Sequence, residues 1–154
     1  MNNNLEKLIK QSVPFSSEQM KAQLGVLYLA YCFTSSQQTH FKKYNITLQQ
    51  YNILRILRGQ YPKPANISLL RDRMLDKMSD ASRLVNRLHK MGYVTKSPNE
   101  IDKRNADVLI SEKALALLVE IDKKGLENHT LFHQLSDEEV FTFNQIVDKA
   151  LGKL

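Results

Sequence analysis

Between Asn66 and Gly92 the apolar residues fall into two short helical runs separated by a gap with room only for a turn. Ile67, Leu70 and Met74 share one helical face behind Asn66, a residue suited to capping. After Leu75-Asp76-Lys77 the apolar residues return as Met78, Ala81, Leu84, Val85, Leu88 and Met91, and Gly92 closes the run. The spacing predicts a helix over Met78 to Met91. Two short helices joined by a tight turn form a helix-turn-helix. Its second helix must bury that stripe, leaving Lys77, Ser79, Asp80, Ser82, Arg83, Asn86, Arg87, His89 and Lys90 outside.

The rest of the chain has to supply what the two helices pack against. Tyr93-Val94-Thr95-Lys96 and Ala106-Asp107-Val108-Leu109-Ile110 contain β-formers, and the loop between them is rich in turn residues, so a two-stranded hairpin is expected after Gly92. A long helix of about 25 residues is announced by the Ser16…Gln19 capping pattern, with Leu24, Leu27, Tyr28, Tyr31 and Ser35 at helical spacing. A shorter one follows Thr47-Leu48-Gln49-Gln50 and stops at Gly59 and Pro62, with Pro62 to Asn66 read as a linker. Ser111 can cap a helix from Glu112 to about His133, and Ser136-Asp137-Glu138-Glu139 opens a last one carrying Val140, Phe143, Val147 and Leu151. The fold class is therefore mainly α, with about six helices and a β-wing. At 154 residues the chain suits one compact domain, or two small modules that share a core.

Charge is distributed unevenly. The net charge is +6. The segment from Tyr44 to Ile110 holds 12 basic and 6 acidic residues, so it carries the whole excess and the two flanks together are neutral. A basic centre in a neutral frame is the pattern expected when only the centre meets a polyanion. Lys77, Ser79, Ser82 and Arg83 cluster toward the start of the second helix, the end that enters a DNA major groove in such motifs. Arg83 has the geometry to bind guanine, and Asn86 to read adenine. Asp80 opposes the trend: near phosphate it must accept from a cytosine amino group or pair with Arg83 or Lys77. In the hairpin loop Asp102 and Arg104 fall on one face of an extended segment and can pair, stiffening an arginine suited to a narrow minor groove. Lys96 and Lys103 flank it, placed for phosphates.

Several classes are set aside. Cys32 is the only cysteine, so neither an intrachain disulfide nor a cysteine-cluster zinc site can form. Flanked by Tyr31 and Phe33, it reads as a packed thiol. His129 and His133 lie four apart on one helical face, too few ligands for a metal site on their own. No Gly-rich phosphate loop or nucleophile elbow is found, so an enzyme is not expected, and no cofactor or metal is assigned. No apolar run approaches the roughly 18 residues of a membrane span, and the opening MNNNLEKLIK lacks the apolar stretch of a secretory signal. A cytoplasmic location is the expectation.

Asp102-Lys103-Arg104, the run Val108-Leu109-Ile110 and the following Ser111-Glu112-Lys113 resemble the wing signature of the MarR family of bacterial transcriptional regulators. Ile46 to Tyr51, Arg83 to Leu88 with Gly92-Tyr93-Val94, and Leu135 to Glu139 match that family as well. Asp80, and Asn105-Ala106-Asp107, depart from its commoner pattern. The resemblance implies a winged helix-turn-helix lobe at 45–110. It also implies a helical dimerisation region at 1–44 and 111–154, giving an intertwined homodimer through the terminal helices. Such a dimer is a sequence-specific regulator, expected to be a repressor, on an inverted-repeat operator in double-stranded DNA. By residue it places the second helix in the major groove and Arg104, oriented by Asp102, in the minor groove. DNA-contacting residues are then Lys77, Ser79, Asp80, Ser82, Arg83, Asn86, Arg87, Lys96, Asp102, Lys103 and Arg104. Because many members of the family respond to phenolic or other aromatic molecules, Tyr28, Tyr31, His40, Phe41 and Tyr51 are candidate linings for a small aromatic ligand. The alternatives are a non-specific DNA-packaging or protein-interaction module on the same scaffold, and a regulator answering to redox or metal.

Overall fold

A computed structural model describes residues 4–99, 106–124 and 131–152. In chain order the elements are α1 (Asn4–Leu8), α2 (Glu18–Lys42), α3 (Leu48–Gln60), β1 (Ala65–Asn66), α4 (Ile67–Arg73), α5 (Ala81–Lys90), β2 (Val94–Pro98), β3 (Ala106–Ile110), α6 (Glu112–Lys123) and α7 (Asp137–Leu151). The fold is mainly helical, with a small antiparallel sheet, as expected.

The helix starts are set by local chemistry. Thr47 and Gln50 cap each other reciprocally at α3, the backbone N–H of Thr47 donating to Gln50 Oε1 (2.9 Å) and that of Gln50 to Thr47 Oγ1 (3.2 Å). Ser136 and Glu139 do the same at α7. At α2 the cap is Ser17, whose hydroxyl accepts from the Met20 N–H, one residue beyond the expected Ser16. α6 ends at Lys123, ten residues short of the His133 expected from its stripe, and the chain around Phe132 and His133 is turn.

Two further differences shape the lobe. The segment read as a linker contributes β1, which pairs with β3 at Ala65↔Val108 and Asn66↔Asp107, so the wing is part of a three-stranded sheet ordered β1-β3-β2. Two residues carry no periodicity, and their partner lies more than forty positions away. The second helix of the motif begins at Ala81, not Met78, which is solvent-exposed.

One hydrophobic core unites the lobe. Phe41, Ile53, Leu54, Leu57, Leu70, Met74, Val85, Leu88, Val108, Leu118 and Ile121 are all at most 1% exposed. They come from the end of α2, from α3 to α5, the sheet and α6. Packing therefore places α6 with the lobe, although the sequence reading grouped 111–154 with the frame. The frame itself is different. α7 buries no residue fully, and α2 buries only Gln37, His40 and Phe41 at its C-terminal end. Leu27, Tyr31, Phe141 and Ile146 stand open to solvent in the single chain. Such continuous apolar exposure marks an interaction surface.

Candidate nucleic-acid interface

α5 folds because its stripe and its ends agree. Ala81, Val85 and Leu88 sit at positions 0, 4 and 7 and are buried against the core. At the start, Asp80 Oδ1 accepts the Arg83 N–H at 2.9 Å. At the end, Gly92 takes a left-handed φ of 74°. The Tyr93 N–H reaches the Leu88 carbonyl (3.0 Å) and the Gly92 N–H the His89 carbonyl (2.9 Å), which is a Schellman closure. The first turn of α6 locks this corner, with Ser111 Oγ donating to the Gly92 carbonyl (2.8 Å) and Lys113 Nζ to that of Met91 (2.9 Å).

The opposite face of α5 is polar and open. Asp80, Ser82, Arg83, Asn86, Arg87 and Lys90 line a concave surface of about 480 Å3. Among the described residues, neither the Arg83 nor the Arg87 guanidinium forms an ion pair. Two contacts fix this face against the wing: Lys96 Nζ donates to Asn86 Oδ1 (2.7 Å), and His89 Nδ1 donates to the Val94 carbonyl (3.0 Å). Helix and ribbon thus present their cations as one rigid unit. Lys90, absent from the predicted contacts, belongs to it.

The residues before α5 have structural work. Asp80 neither pairs with Arg83 nor with Lys77: it caps the helix, so its carboxylate is explained without a base. Lys77 Nζ donates to the Asp72 carbonyl, closing the end of α4. Ser79 donates its hydroxyl to Asp76 Oδ2 (2.6 Å), and the Met78 N–H donates to Asp76 Oδ1 (3.0 Å). The Ser79 hydroxyl first, and then this N–H, hold the Asp76 carboxyl below its ordinary range. Lys77 and Ser79, predicted on the helix, therefore lie in the turn. On the wing, Asn99 Nδ2 donates to Asp107 Oδ1 (2.8 Å). Asp102, Lys103 and Arg104 lie outside the described residues.

The five aromatic candidates do not converge. Phe41 and Tyr51 stack at 4.2 Å within the core. Tyr28 and Tyr31 neighbour each other at 6.3 Å, with Tyr31 exposed. They stand on α2 nine or more residues from His40, roughly 14 Å along the axis. His40 lines a cavity of about 460 Å3 together with Lys43, Tyr44, Glu120 and Lys124, where α2 meets α6. Tyr44, which lies just beyond the end of α2, was not among the candidates. The Glu120 carboxylate, 2.6 Å from Lys124 Nζ, raises the lysine pKa above its usual value. Cys32 is half-buried. His129 lies outside the described residues, among which no group of three or more His, Cys, Asp or Glu is arranged to hold a metal ion. No helix among them is long and apolar enough to cross a membrane.

Comparison with known proteins agrees with this geometry. The model of the MarR family matches residues 46–106, the span from the α3 cap into the wing. The HTH-type transcriptional regulator MgrA of Staphylococcus aureus is 23% identical over 111 residues, 72% of this chain and 74% of MgrA. The HTH-type transcriptional regulator Hpr of Bacillus thuringiensis is 29% identical over 126 residues, 81% of this chain and 65% of Hpr. Among solved structures, a MarR-like transcription regulator from Bacillus cereus superposes with a TM-score of 0.77 at 16% identity, over 89% of this chain and 98% of that one. A cysteine-to-serine variant of MarR from E. coli, complexed with operator DNA, gives 0.75 at 19% identity, over 90% and 99%. A polar, cation-bearing helix braced by a wing sits in the segment that the family model matches, and over residues 46–106 the chain is similar to the MarR family, with the winged helix-turn-helix fold of the solved MarR-like structures.

Proposed function

We propose that this protein is a cytoplasmic repressor that binds a palindromic operator as a homodimer and is released by a small aromatic ligand. The observation that carries the DNA reading is the open face of α5, with Arg83, Asn86, Arg87 and Lys90 braced by Lys96. The side chains match what a major groove offers, and the resemblance puts Arg104 of the wing, oriented by Asp102 and flanked by Lys103, into the adjoining minor groove. The MarR variant complexed with operator DNA supports DNA as the partner of this fold.

The homodimer is supported by the unpaired apolar faces. Val26, Leu29, Ala30 and Phe33 of α2, with Leu131, Phe132 and Phe143, line an apolar groove of about 270 Å3, and Ile146 and Leu151 of α7 are exposed as well. A second copy would cover these faces by two-fold symmetry and match a two-fold DNA site. The cavity at His40 and Tyr44 is the supported ligand position, between frame and lobe.

Selection from random duplex DNA tests the reading. Enrichment of an inverted repeat, its half-sites about 10 base pairs apart, is expected; uniform weak binding would leave a packaging module. Arg104→Ala should weaken operator binding strongly while the dimer persists in sizing chromatography, and unchanged affinity would remove the minor-groove role. Ending the chain at Leu135 should abolish the dimer. A well-behaved monomer that still binds the operator would refute the interface.

A further inference from the structure

Leu75 and Met78 belong to none of the apolar surfaces described above. Most of the other exposed large apolar residues lie on α2 and α7, where a second copy would cover them. Leu75 and Met78, at 86% and 94% exposure, lie in the turn between α4 and α5, at the basic face. The turn is not slack. The Leu75 N–H donates to Asn52 Oδ1 on α3 (3.1 Å), and the Asp76 carboxylate grips the Met78 N–H and the Ser79 hydroxyl. The backbone of Met78 is thus held in place while its side chain stands in water. Asp80, the cap of α5, follows two residues later, so the two Cα atoms are within roughly 7 Å of each other.

An apolar side chain on a fixed backbone at the leading end of a helix that enters the major groove has one chemical partner there. Base edges in that groove are hydrogen-bonding groups except for the C5-methyl of thymine. We infer that Met78 is a specificity-determining residue: its unbranched thioether side chain packs on a thymine methyl in each half-site, beside the bases reached by the start of α5. Methionine suits the task because it adapts its shape and is polarizable. The inference rests on the operator-binding reading above.

Deoxyuridine provides the test, since it pairs as thymine does and lacks only the methyl group. Each thymine of the selected operator is replaced in turn, and affinity is measured by fluorescence anisotropy for the wild-type protein and for Met78→Ala. At one thymine per half-site, the substitution should weaken the wild type about fourfold, and about fifteenfold when both half-sites carry it, the worth of one buried methyl per subunit. Met78→Ala should bind the unmodified operator with a similar loss and be indifferent to the substitution. Its thermal midpoint should not move, because the side chain is exposed, which separates lost contact from lost fold. Deoxyuridine that weakens both proteins equally, or neither, overturns the role. So does a Met78→Ala protein with full DNA affinity that fails only in transcription, which would assign the side chain to a protein partner. A wild type that does not prefer its selected operator to random duplex refutes the operator reading itself, whereas intact preference without thymine dependence refutes Met78 alone.

Discussion

Asp80 separates capping from electrostatics, because two substitutions remove different parts of what it does. Its carboxylate accepts the Arg83 N–H at 2.9 Å and lies on the rim of the concave face with Arg83 and Arg87. Asp80→Ala removes both the acceptor and the charge, and loss of such a cap costs about 1 kcal/mol. In a chain of 154 residues that lowers the thermal midpoint by roughly 2–4 °C. Asp80→Asn keeps an acceptor of nearly equal quality and forfeits only the attraction of a carboxylate for the helix N-terminus, a few tenths of a kcal/mol at an exposed site. On DNA both substitutions act alike, because each removes the charge. A carboxylate about 7 Å from a phosphate is repelled by roughly 0.6 kcal/mol at the dielectric of water, so its removal strengthens binding to random duplex about threefold per subunit at low salt. Screening reduces this below twofold near physiological salt.

The assay pairs urea denaturation at one fixed protein concentration with anisotropy titrations on random and operator duplexes at two salt concentrations. Asp80→Ala should lose stability and Asp80→Asn should keep it, while Asp80→Asn gains affinity for random duplex. Equal destabilisation by both variants would show that the charge, and not the cap, holds the helix. An Asp80→Asn protein that loses operator affinity yet keeps its affinity for random duplex would show the carboxylate accepting from a base, and the capping account would fail.

Two other predictions concern the two ends of α5. Gly92→Ala should destabilise by about 1–2 kcal/mol through the left-handed backbone alone, since an added Cβ meets nothing nearer than Lys113 Nζ at 3.9 Å. An unchanged denaturation midpoint would refute this. The Asp76 carboxyl titrates below its ordinary value, so its contribution to stability is present above the unfolded-state pKa and is lost as pH falls through the folded one. Ser79→Ala should move its midpoint upward in a carbon-detected NMR titration, and an unmoved midpoint would contradict the hydroxyl as the main cause.

How far the sequence disclosed all this follows the range of the interactions. The reciprocal caps at Thr47 and Ser136 are local, and both form where the sequence placed them. The α5 stripe also had the correct face, but its start was misplaced because Met78 precedes Ala81 by three residues and fits a helical period as well as a true member does. Only the capping bond from Asp80 decides between them, and the same bond explains a carboxylate that looked misplaced among cations. β1 was invisible for the opposite reason: its pairing with Val108 and Asp107 is wholly non-local. The aromatic candidates were grouped on what the resemblance implies and not on a shared face, and helical spacing does not report a partner. In the structure Phe41 meets Tyr51 in the core, His40 borders a cavity and Tyr31 meets water.

The distribution of buried and open surface carries one more step. The lobe has a complete core of its own, while the frame leaves its apolar faces unpaired, so in the proposed dimer each α5 would move as part of a rigid body whose position is set by how two frames meet. Binding both half-sites needs the two reading helices about 34–36 Å apart, one turn of the duplex. Lobe and α6 are joined by the shared core and by Arg58, which holds Asp122 at 2.6 Å across the α3–α6 contact, with Arg55 at 3.9 Å. These pairs are partly exposed and add at most about 1 kcal/mol, so the core carries the join. A molecule filling the cavity at His40, Tyr44 and Glu120 would press on the α2–α6 junction without touching α5. In the proposed dimer it would act on the separation of the two lobes and not on the chemistry of either reading face, so an inducer bound there is expected to weaken operator binding far more than the binding of a half-site in anisotropy titrations, and equal weakening of both would refute this route.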